Sequence, residues 1–354
     1  MSHVLTIEPN GDSVEVAEGQ TLLDACLRSG VWLPHACGHG LCGSCKVEVL
    51  EGEIDHGDAS AFALMDFERG EGKTLACTAR CLSDVTIEAD IEEDPDARRI
   101  PVRDFTATVV GLNRLTHDVM EVRLALEGAG MEFQAGHYVN VSFPGIEGAR
   151  AFSLANPPSE ATLLELQIRR VPGGLATGHV HERLAVGDRL TVTGPYGRFF
   201  VRKSSPLPMI FLAGGTGLSS PRSMILDLLA GGRTEPMLLI HGVRARRDLY
   251  DQALFEDLAA RHANLSYLPV LSEPAADDAW SGETGFVHEA LQRHFPNGFA
   301  GHKAYLCGPP PMVEACIRTL MQGRLFERDI YTERFLTAGS QDEGKVKSPV
   351  FKRL

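Results

Sequence analysis

The chain has 354 residues, enough for two or three domains, and its hydrophobic content of 44% and charged content of 23% are those of a globular protein. Its net charge of −13 argues against a nucleic-acid partner, which requires a basic surface. No apolar run approaches the ~18 residues that span a bilayer, and the start, MSHVLTIEPN, lacks a signal-peptide pattern, so a cytoplasmic protein without membrane contact is expected. The eight cysteines are then expected to serve metal binding or catalysis rather than disulfides.

Residues 1–92 are predicted to form short strands around one helix. Apolar alternation at 4–7 and 13–16 indicates a hairpin, and 46–49 and 85–88 supply further strands. Thr21 is a predicted helix N-cap, with Asp24 at the capping-box position and Gly30 ending the helix.

Four cysteines in this region carry the strongest chemical signal in the chain. Cys37, Cys42 and Cys45 have the C-x4-C-x2-C spacing of ligands to a plant-type 2Fe–2S cluster, and Cys77 is the preferred fourth ligand over Cys81. Most of the intervening residues are small (Gly38, Gly40, Gly43 and Ser44), which lets backbone N–H groups turn toward the sulfurs. A zinc site is the alternative, but zinc sites usually pair two short cysteine motifs, and only one is present. The whole region resembles the β-grasp fold of plant-type ferredoxins.

Residues 93–101 are charged and contain a proline, so they are predicted to be a linker. Residues 102–204 show strand-like runs with glycine and proline between them, which predicts a small antiparallel β-barrel. From 205 to 337, strands alternate with helices, which predicts a doubly wound α/β domain with about five parallel strands and a helix from Asp248 to His262. Residues 338–354 form a polar tail.

The barrel contains two segments that resemble the phosphate and flavin motifs of the ferredoxin-NADP reductase superfamily. The run from Arg150 to Asn156 resembles its R-x-Y-S signature with Phe152 in place of tyrosine, and the run from Val171 to Thr177 resembles its second phosphate site at a helix start. Arginine suits a pyrophosphate because it binds bidentately. The resemblance implies FAD rather than FMN, bound by Arg150, Phe152, Ser153, Leu154, Gly173, Gly174, Ala176 and Thr177, with the Ser153 hydroxyl near the flavin N5.

The third domain carries the corresponding nicotinamide motifs. The turn after its first strand resembles the superfamily's G-G-x-G-x-x-P turn rather than a G-x-G-x-x-G fingerprint, and Cys307-Gly308-Pro309-Pro310 resembles the C-G-P-P motif beside the nicotinamide ring. The implied nucleotide-binding residues are Gly214, Gly215, Thr216, Gly217, Cys307, Gly308 and Pro309. Cys307, Glu333 and Ser153 are the implied catalytic residues, and Phe335 is the implied aromatic cover of the flavin. Core packing is the alternative for Cys307 and Phe335.

The choice of nicotinamide is open at the level of the residues. Arg246 and Arg247 follow the second parallel strand, where they would bind a 2′-phosphate of NADPH or remain solvated surface residues.

The order of ferredoxin, FAD and nicotinamide domains resembles the reductase components of bacterial multicomponent oxygenases, and most closely those of phenol hydroxylases, which are di-iron monooxygenases. Longer strings carry this narrower likeness, among them the run from Ala61 to Asp66 and the closing Phe351-Lys352-Arg353-Leu354. The resemblance implies a protein that transfers electrons from NADH through FAD and the cluster to a hydroxylase, and a monomer is expected. The alternatives are a reductase of a Rieske-type dioxygenase and a non-enzymatic iron–sulfur carrier or redox sensor.

Overall fold

The computed structural model describes residues 2–91 and 94–334, and these divide into two compact units between Arg103 and Asp104. The boundaries predicted at 92, 101, 204 and 337 stay predictions. None of the helices in the described part of the chain is both long and apolar enough to cross a membrane.

The first unit is a small sheet with one main helix packed on it. In chain order it contains β1 (His3–Glu8), β2 (Asp12–Val16), α1 (Leu22–Arg28), β3 (Lys46–Glu51), β4 (Ile54–Asp55), α2 (Asp66–Gly70), β5 (Lys73–Leu75), β6 (Arg80–Cys81) and β7 (Val85–Glu88). The main sheet has the order β2-β1-β7-β3-β5, and β4 pairs with β6. The predicted hairpin is confirmed, because β1 and β2 pair antiparallel.

The helix α1 begins where the sequence predicts. The Thr21 side chain accepts a hydrogen bond from the Asp24 backbone N–H at 3.3 Å, and the helix ends at Arg28, just before Gly30 at φ 75°. Leu22 and Cys26 are fully buried against the sheet. Burial of this face anchors the helix, and its N-terminus rests on the segment that carries Cys77, because Leu23 N–H donates to Ala76 O at 2.8 Å.

The second unit begins with an antiparallel barrel. It contains β8 (Arg103–Arg114), β9 (Val119–Leu126), β10 (Tyr138–Ser142), β11 (Arg150–Ser153), β12 (Leu163–Arg169), α3 (Leu175–Glu182) and β13 (Arg189–Tyr196). The sheet order is β11-β10-β13-β8-β9-β12, and a bridge between Leu154 and Leu166 joins its two edges. Apolar residues from alternate strand positions fill the interior, as Val109, Val139 and Leu164 illustrate with no exposed surface.

A parallel α/β sheet completes the second unit. It contains β14 (Met209–Gly214), α4 (Ser219–Ala230), β15 (Met237–Val243), α5 (Gln252–Arg261), β16 (Leu265–Leu271), β17 (Glu283–Thr284), α6 (Val287–His294), β18 (Lys303–Gly308), α7 (Pro310–Gln322) and β19 (Ile330–Arg334). The order is β17-β16-β15-β14-β18-β19, and the paired strands are parallel. The strands β15 to β17 lie on one side of β14, and β18 and β19 lie on its other side, so the strand order reverses at β14. The loops after β14 and β18 therefore border the crevice where such sheets bind ligands.

Two predicted elements differ from the structure. The prediction of a helix from Asp248 to His262 was wrong at its start, because Arg246–Asp248 forms a 3-10 turn and α5 begins only at Gln252. Asp251 adopts a left-handed conformation with φ 53°, which interrupts the helical backbone between them. The sheet has six strands where about five were predicted. The strand that was not predicted is β17, which has only two residues and is too short to leave a periodic pattern. The predicted fold class is confirmed for all three regions.

Candidate functional site

The cysteine loop of the first unit brings the four predicted cluster ligands together. Three backbone N–H groups already point at the sulfurs: Gly40 N lies 3.2 Å from Cys77 Sγ, His39 N lies 3.4 Å from Cys37 Sγ, and Ser44 N lies 3.5 Å from Cys42 Sγ. Gly40 has φ 72°, and a Cβ there would lie 2.8 Å from the Thr78 side chain. The loop therefore needs glycine at this position, and its donors suit the charged sulfurs of a bound cluster.

The sulfurs are arranged as two pairs. Cys37 hydrogen-bonds Cys42 and lowers the pKa of that thiol to about 4, and Cys45 hydrogen-bonds Cys77 and lowers its pKa to about 7. All four are free thiols. The same contacts raise the pKa of Cys37 and of Cys45, so each pair favours the thiolate of one sulfur and the thiol of the other, and metal binding would release the remaining proton of each pair.

The pairing discriminates between a cluster and a single zinc ion. Across the described residues, the one group of three metal-ligating side chains whose ligand atoms all lie within 4.8 Å of one another is His117, Asp118 and Asp248. No three of the four sulfurs therefore lie within 4.8 Å of one another. A tetrahedral zinc ion with Zn–S bonds of about 2.3 Å would hold all of its sulfurs about 3.8 Å apart. Two pairs of thiolates fit a cluster with two iron atoms.

Cys81, the rival fourth ligand, has no hydrogen bond to the quartet among those that the described residues show. It belongs to β6, which pairs with Ile54, and its charge acts on the buried Cys26. Burial raises the pKa of Cys81, which disfavours its thiolate. This placement supports Cys77 as the fourth ligand.

Arg150 begins β11 at the rim of the barrel. Its Nη1 donates to the backbone carbonyls of Glu147, Gly148 and Ala149 at 3.0–3.2 Å, and the residue remains partly exposed. Phe152, two residues on, lies edge-on to Phe143 with ring centroids 6.3 Å apart. An accessible guanidinium beside a half-buried aromatic ring is compatible with a pyrophosphate and a planar cofactor.

The second predicted phosphate segment opens α3. Gly174 is the N-cap and provides no side-chain cap, so the first N–H groups of the helix remain donors for a ligand. Thr177 Oγ1 accepts from Val171 N at 3.0 Å and closes the turn. Ala176 and Leu154 have buried side chains in the barrel core, so only their backbones can face a cofactor. These residues fit the phosphates of FAD.

The nicotinamide motifs meet at the crevice of the parallel sheet. Gly215–Leu218 forms a 3-10 turn after β14, and it packs on the end of β18: a Cβ on Gly217 would lie 2.2 Å from the Cys307 carbonyl oxygen, and one on Gly214 would lie 2.9 Å from Pro309. His241 and Tyr250 both contact the Gly215 carbonyl, at 3.2 Å each. Two backbone loops in this contact, with Thr216 and Gly308 among them, fit a dinucleotide.

Glu333 joins the barrel and the parallel sheet at one oxygen atom. Its Oε2 accepts from Ser220 Oγ at 2.8 Å, from Ser153 Oγ at 3.0 Å and from Cys307 Sγ at 3.4 Å. The three predicted catalytic residues are therefore in contact, although β11, β18 and β19 supply one each. Ser220 was missed, because in the sequence it is simply the start of a helix.

Burial sets the protonation of this cluster. It raises the pKa of Glu333, and the hydrogen bonds from Ser220, Ser153 and Cys307 oppose the shift. Burial and the Glu333 charge together raise the pKa of Cys307 well above its ordinary value, so this thiol is a donor and not a thiolate. Tyr138, stacked on Tyr196 at 5.5 Å, also has its pKa raised by burial and by the Glu333 charge. Phe335, the predicted flavin cover, lies outside the described residues.

A buried polar network between barrel and sheet was also missed. Arg222 of α4 contacts Glu165 of β12 at 2.7 Å and Asp251 at 3.2 Å, and it donates to the Ala155 carbonyl at 2.6 Å. Gln167 donates to Asp251 at 2.8 Å and accepts from Ser219 at 3.0 Å. Isolated polar residues in separate elements leave no local sequence signal, so only the tertiary structure shows that they meet.

Three family models match successive parts of the chain. The 2Fe-2S iron-sulfur cluster binding domain matches residues 5–82, the oxidoreductase FAD-binding domain matches 106–201, and the oxidoreductase NAD-binding domain matches 211–318.

Named relatives match over nearly the entire chain. The phenol hydroxylase P5 protein of Acinetobacter pittii and the phenol 2-monooxygenase reductase component DmpP of Pseudomonas sp. are each 55% identical, over 100% of both chains. The reductase subunit of an aromatic O-demethylase from Amycolatopsis sp. is 41% identical over 94% of this chain and 98% of its own.

Solved structures agree with this grouping. The crystal structure of the Amycolatopsis cytochrome P450 reductase GcoB has a TM-score of 0.84 and 39% identity, covering 94% of this chain and 98% of that one. The ferredoxin reductase in carbazole 1,9a-dioxygenase has a TM-score of 0.76 and 29% identity, covering 95% and 99%. The chain therefore belongs to the family of the phenol hydroxylase reductase components, and it is an NAD(P)H-dependent oxidoreductase with 2Fe–2S, FAD and nicotinamide domains.

Proposed function

We propose that this chain is the reductase component of a multicomponent phenol monooxygenase, transferring electrons from NADH through FAD and a 2Fe–2S cluster to a di-iron hydroxylase. The observation that carries the proposal is the 55% identity, over the full length of both chains, to two relatives named as phenol hydroxylase reductase components. The two sulfur pairs and the Glu333 cluster support it, because they supply a cluster site and a reaction site in one chain.

Each cofactor has residues suited to hold it. Cys37, Cys42, Cys45 and Cys77 are the proposed cluster ligands, and Arg150 with the start of α3 binds the pyrophosphate of FAD. The loops Gly214–Gly217 and Gly308–Pro309 bind the nicotinamide nucleotide. When bound, the nicotinamide supplies a hydride, and the flavin converts that electron pair into the single electrons that an iron–sulfur cluster accepts.

The residues around Glu333 have a positioning role in this proposal. Ser153 lies on the barrel side and Cys307 on the sheet side, and both donate to the same Glu333 oxygen. The carboxylate thus fixes the two side chains that border the reacting rings, and small misplacements there cost on the order of 100-fold in rate. The surrounding burial limits the access of water.

NADH is the proposed donor. Arg246 bonds through Nη1 to the Asp278 carbonyl at 2.7 Å, and its backbone N–H lies 3.3 Å from the Asp278 carboxylate, so this arginine is engaged in holding the neighbouring loop. Arg247 is exposed and remains available to a 2′-phosphate. The ratio of kcat/KM values for NADH and NADPH measures the preference, and a ratio in favour of NADPH would contradict the proposal.

The proposed partner is an oxygenase component, and the chain is proposed to act as a cytoplasmic monomer without membrane contact. The family-model matches at 5–82, 106–201 and 211–318 are compatible with the proposed domain limits of 1–92, 102–204 and 205–337, with linker and tail between and after them.

Reconstitution tests the proposal. Purified protein loaded with iron, sulfide and FAD is mixed with the hydroxylase component of a phenol hydroxylase, and phenol-dependent NADH oxidation is measured against product formed. Coupled catechol formation is expected. A second candidate acceptor is a Rieske-type dioxygenase, since the reductase component of a naphthalene dioxygenase system from Ralstonia sp. is 34% identical over 95% of this chain. Turnover with that oxygenase and none with the phenol hydroxylase would overturn the proposal.

A further inference from the structure

An exposed apolar patch lies beside the cysteine loop of the first unit. It consists of Leu41, Phe62, Met65 and Phe67, whose exposed fractions are 56%, 93%, 48% and 61%. Three of the four belong to the segment 61–67, which includes the string from Ala61 to Asp66 and has no part in the site described above. An aromatic side chain left almost entirely in water has an unfavourable hydration cost unless another surface covers it.

Backbone contacts place this segment against the cysteine loop. Ser60 N–H donates to the Gly40 carbonyl at 3.0 Å, and a Cβ on Gly43 would lie 3.3 Å from the Ala63 carbonyl oxygen. Leu41 lies between those two glycines. Its backbone N–H hydrogen-bonds to the sulfur of Cys37, so a protein covering Leu41 also covers a ligand of the cluster.

The segment is built to expose Phe62 rather than to bury it. Ala63 and Leu64 have exposed fractions of 5% and 0% and anchor the segment in the core, and Ser60 accepts hydrogen bonds from the backbone N–H groups of both. The Ser60 hydroxyl oxygen also accepts from Phe62 N–H at 3.3 Å. A fixed backbone therefore holds the aromatic ring outward, which lowers the conformational entropy lost when a partner binds it.

The charges around the patch are negative. Asp58, before the segment, and Asp66, within it, are exposed carboxylates. Lys46 is neutralised by Glu68 at 2.5 Å, and Arg69, which donates to the Ala59 carbonyl at 3.2 Å, places one positive charge against these two carboxylates, so the balance is negative. An apolar centre with an acidic rim is complementary to an apolar depression with a basic rim.

We infer that the patch Leu41–Phe62–Met65–Phe67 is the docking surface for the electron-accepting hydroxylase component, with Phe62 as its anchor. The inference rests on the proposed function and adds the contact surface and the chemistry of the partner's face. Electron transfer between proteins falls steeply with distance, so a partner bound over Leu41 and Phe62 is placed where transfer from the cluster is fastest. Large aromatic residues with rigid side chains are typical anchors of such interfaces.

The test compares Phe62→Ala with Phe326→Ala in the full-length, cofactor-loaded protein. Phe326 is exposed by 58% and belongs to the second unit, so it controls for loss of an exposed phenylalanine. Phe62→Ala is expected to raise the KM for the hydroxylase about 10-fold, a typical anchor effect, while NADH-driven bleaching of the cluster stays at the wild-type rate. Phe326→Ala is expected to match wild type in both. The double variant Asp58→Asn/Asp66→Asn is expected to reduce the dependence of this KM on salt.

The outcomes separate the inference from the function on which it rests. Phenol-dependent turnover by wild type with equal KM values for both alanine variants would overturn the docking surface and leave the function standing. Absence of turnover with the wild-type protein would overturn the function and the inference with it. Sedimentation velocity gives an independent check: a dimer that Phe62→Ala dissociates would assign the patch to a second copy of this chain and overturn the inference.

Discussion

At the residue scale, the reaction site depends on one carboxylate oxygen. Glu333 Oε2 collects donors from three elements, and two of these donors, Ser153 and Cys307, are the side chains that the family motifs single out. Burial raises the Glu333 pKa, which means that the folded protein favours the neutral acid more than the unfolded chain does. Ser220 contributes the shortest of the three contacts, so it deserves the same experimental treatment as the predicted residues.

The first prediction concerns the pH dependence of stability. Because the folded pKa of Glu333 is raised, its contribution to stability is fully present below the unfolded value of 4.5 and is lost as pH rises through the folded value. Glu333→Gln removes this titration. The difference between the apparent Tm of the variant and that of wild type, measured on flavin-loaded protein from pH 4.5 upward, should therefore increase with pH. A pH-independent difference would show that Glu333 titrates normally.

The second prediction concerns Arg150. Its guanidinium is held at the barrel rim by three backbone carbonyls, which leaves its position fixed and its charge accessible. Loss of a charge-assisted hydrogen bond costs roughly 1.5–3 kcal/mol, so Arg150→Ala should weaken FAD binding about 10- to 150-fold. Equilibrium dialysis followed by flavin fluorescence measures the change. Arg189→Ala is the control, since its exposed pair with Glu127 lies elsewhere in the barrel, and full flavin retention by Arg150→Ala would exclude Arg150 as a phosphate ligand.

At the scale of elements, the barrel and the parallel sheet are joined by buried charges as well as by Glu333. Arg222 at the start of α4 bridges Glu165 of β12 and Asp251 before α5. Burial raises the pKa of Asp251 and the Arg222 charge opposes that shift, so the ionised carboxylate depends on its partner. Asp251 is also the residue whose left-handed conformation precedes α5.

The third prediction follows from that dependence. Arg222→Ala leaves Asp251 buried without its cation, whereas Glu165 keeps Arg123 at 3.1 Å. Removing one partner of a buried ion pair typically destabilises a protein by about 3–5 kcal/mol. The urea midpoint of flavin release from the full-length protein measures the loss. The exposed pair Arg261–Asp257 on α5 provides the control, because Arg261→Ala should cost only about 0–1 kcal/mol. Equal midpoints for the two variants would mean that the network adds nothing to stability.

At the scale of the whole molecule, the sequence predicted what local chemistry determines. The cysteine spacing, the Thr21 cap and the glycine turn after β14 each depend on a few neighbouring residues, and the structure has the corresponding loops and elements there. Contacts between distant elements were not predictable: Ser220 with Glu333, Arg222 with Glu165 and Asp251, and the exposure of Phe62 depend on chain segments that only folding brings together. The start of α5 was missed for the same reason, since a left-handed aspartate has no periodic signature.

The central claim is that electrons pass from the nicotinamide to the flavin and only then from the flavin to the cluster. Anaerobic stopped-flow mixing with NADH tests it on three samples: wild type, Cys42→Ser, and wild type depleted of FAD. Wild type should lose flavin absorbance first and cluster absorbance second. Cys42→Ser should keep its FAD, show the flavin phase alone and reduce ferricyanide but not cytochrome c. Bleaching of the cluster in the FAD-depleted protein, or loss of FAD from Cys42→Ser, would contradict the account.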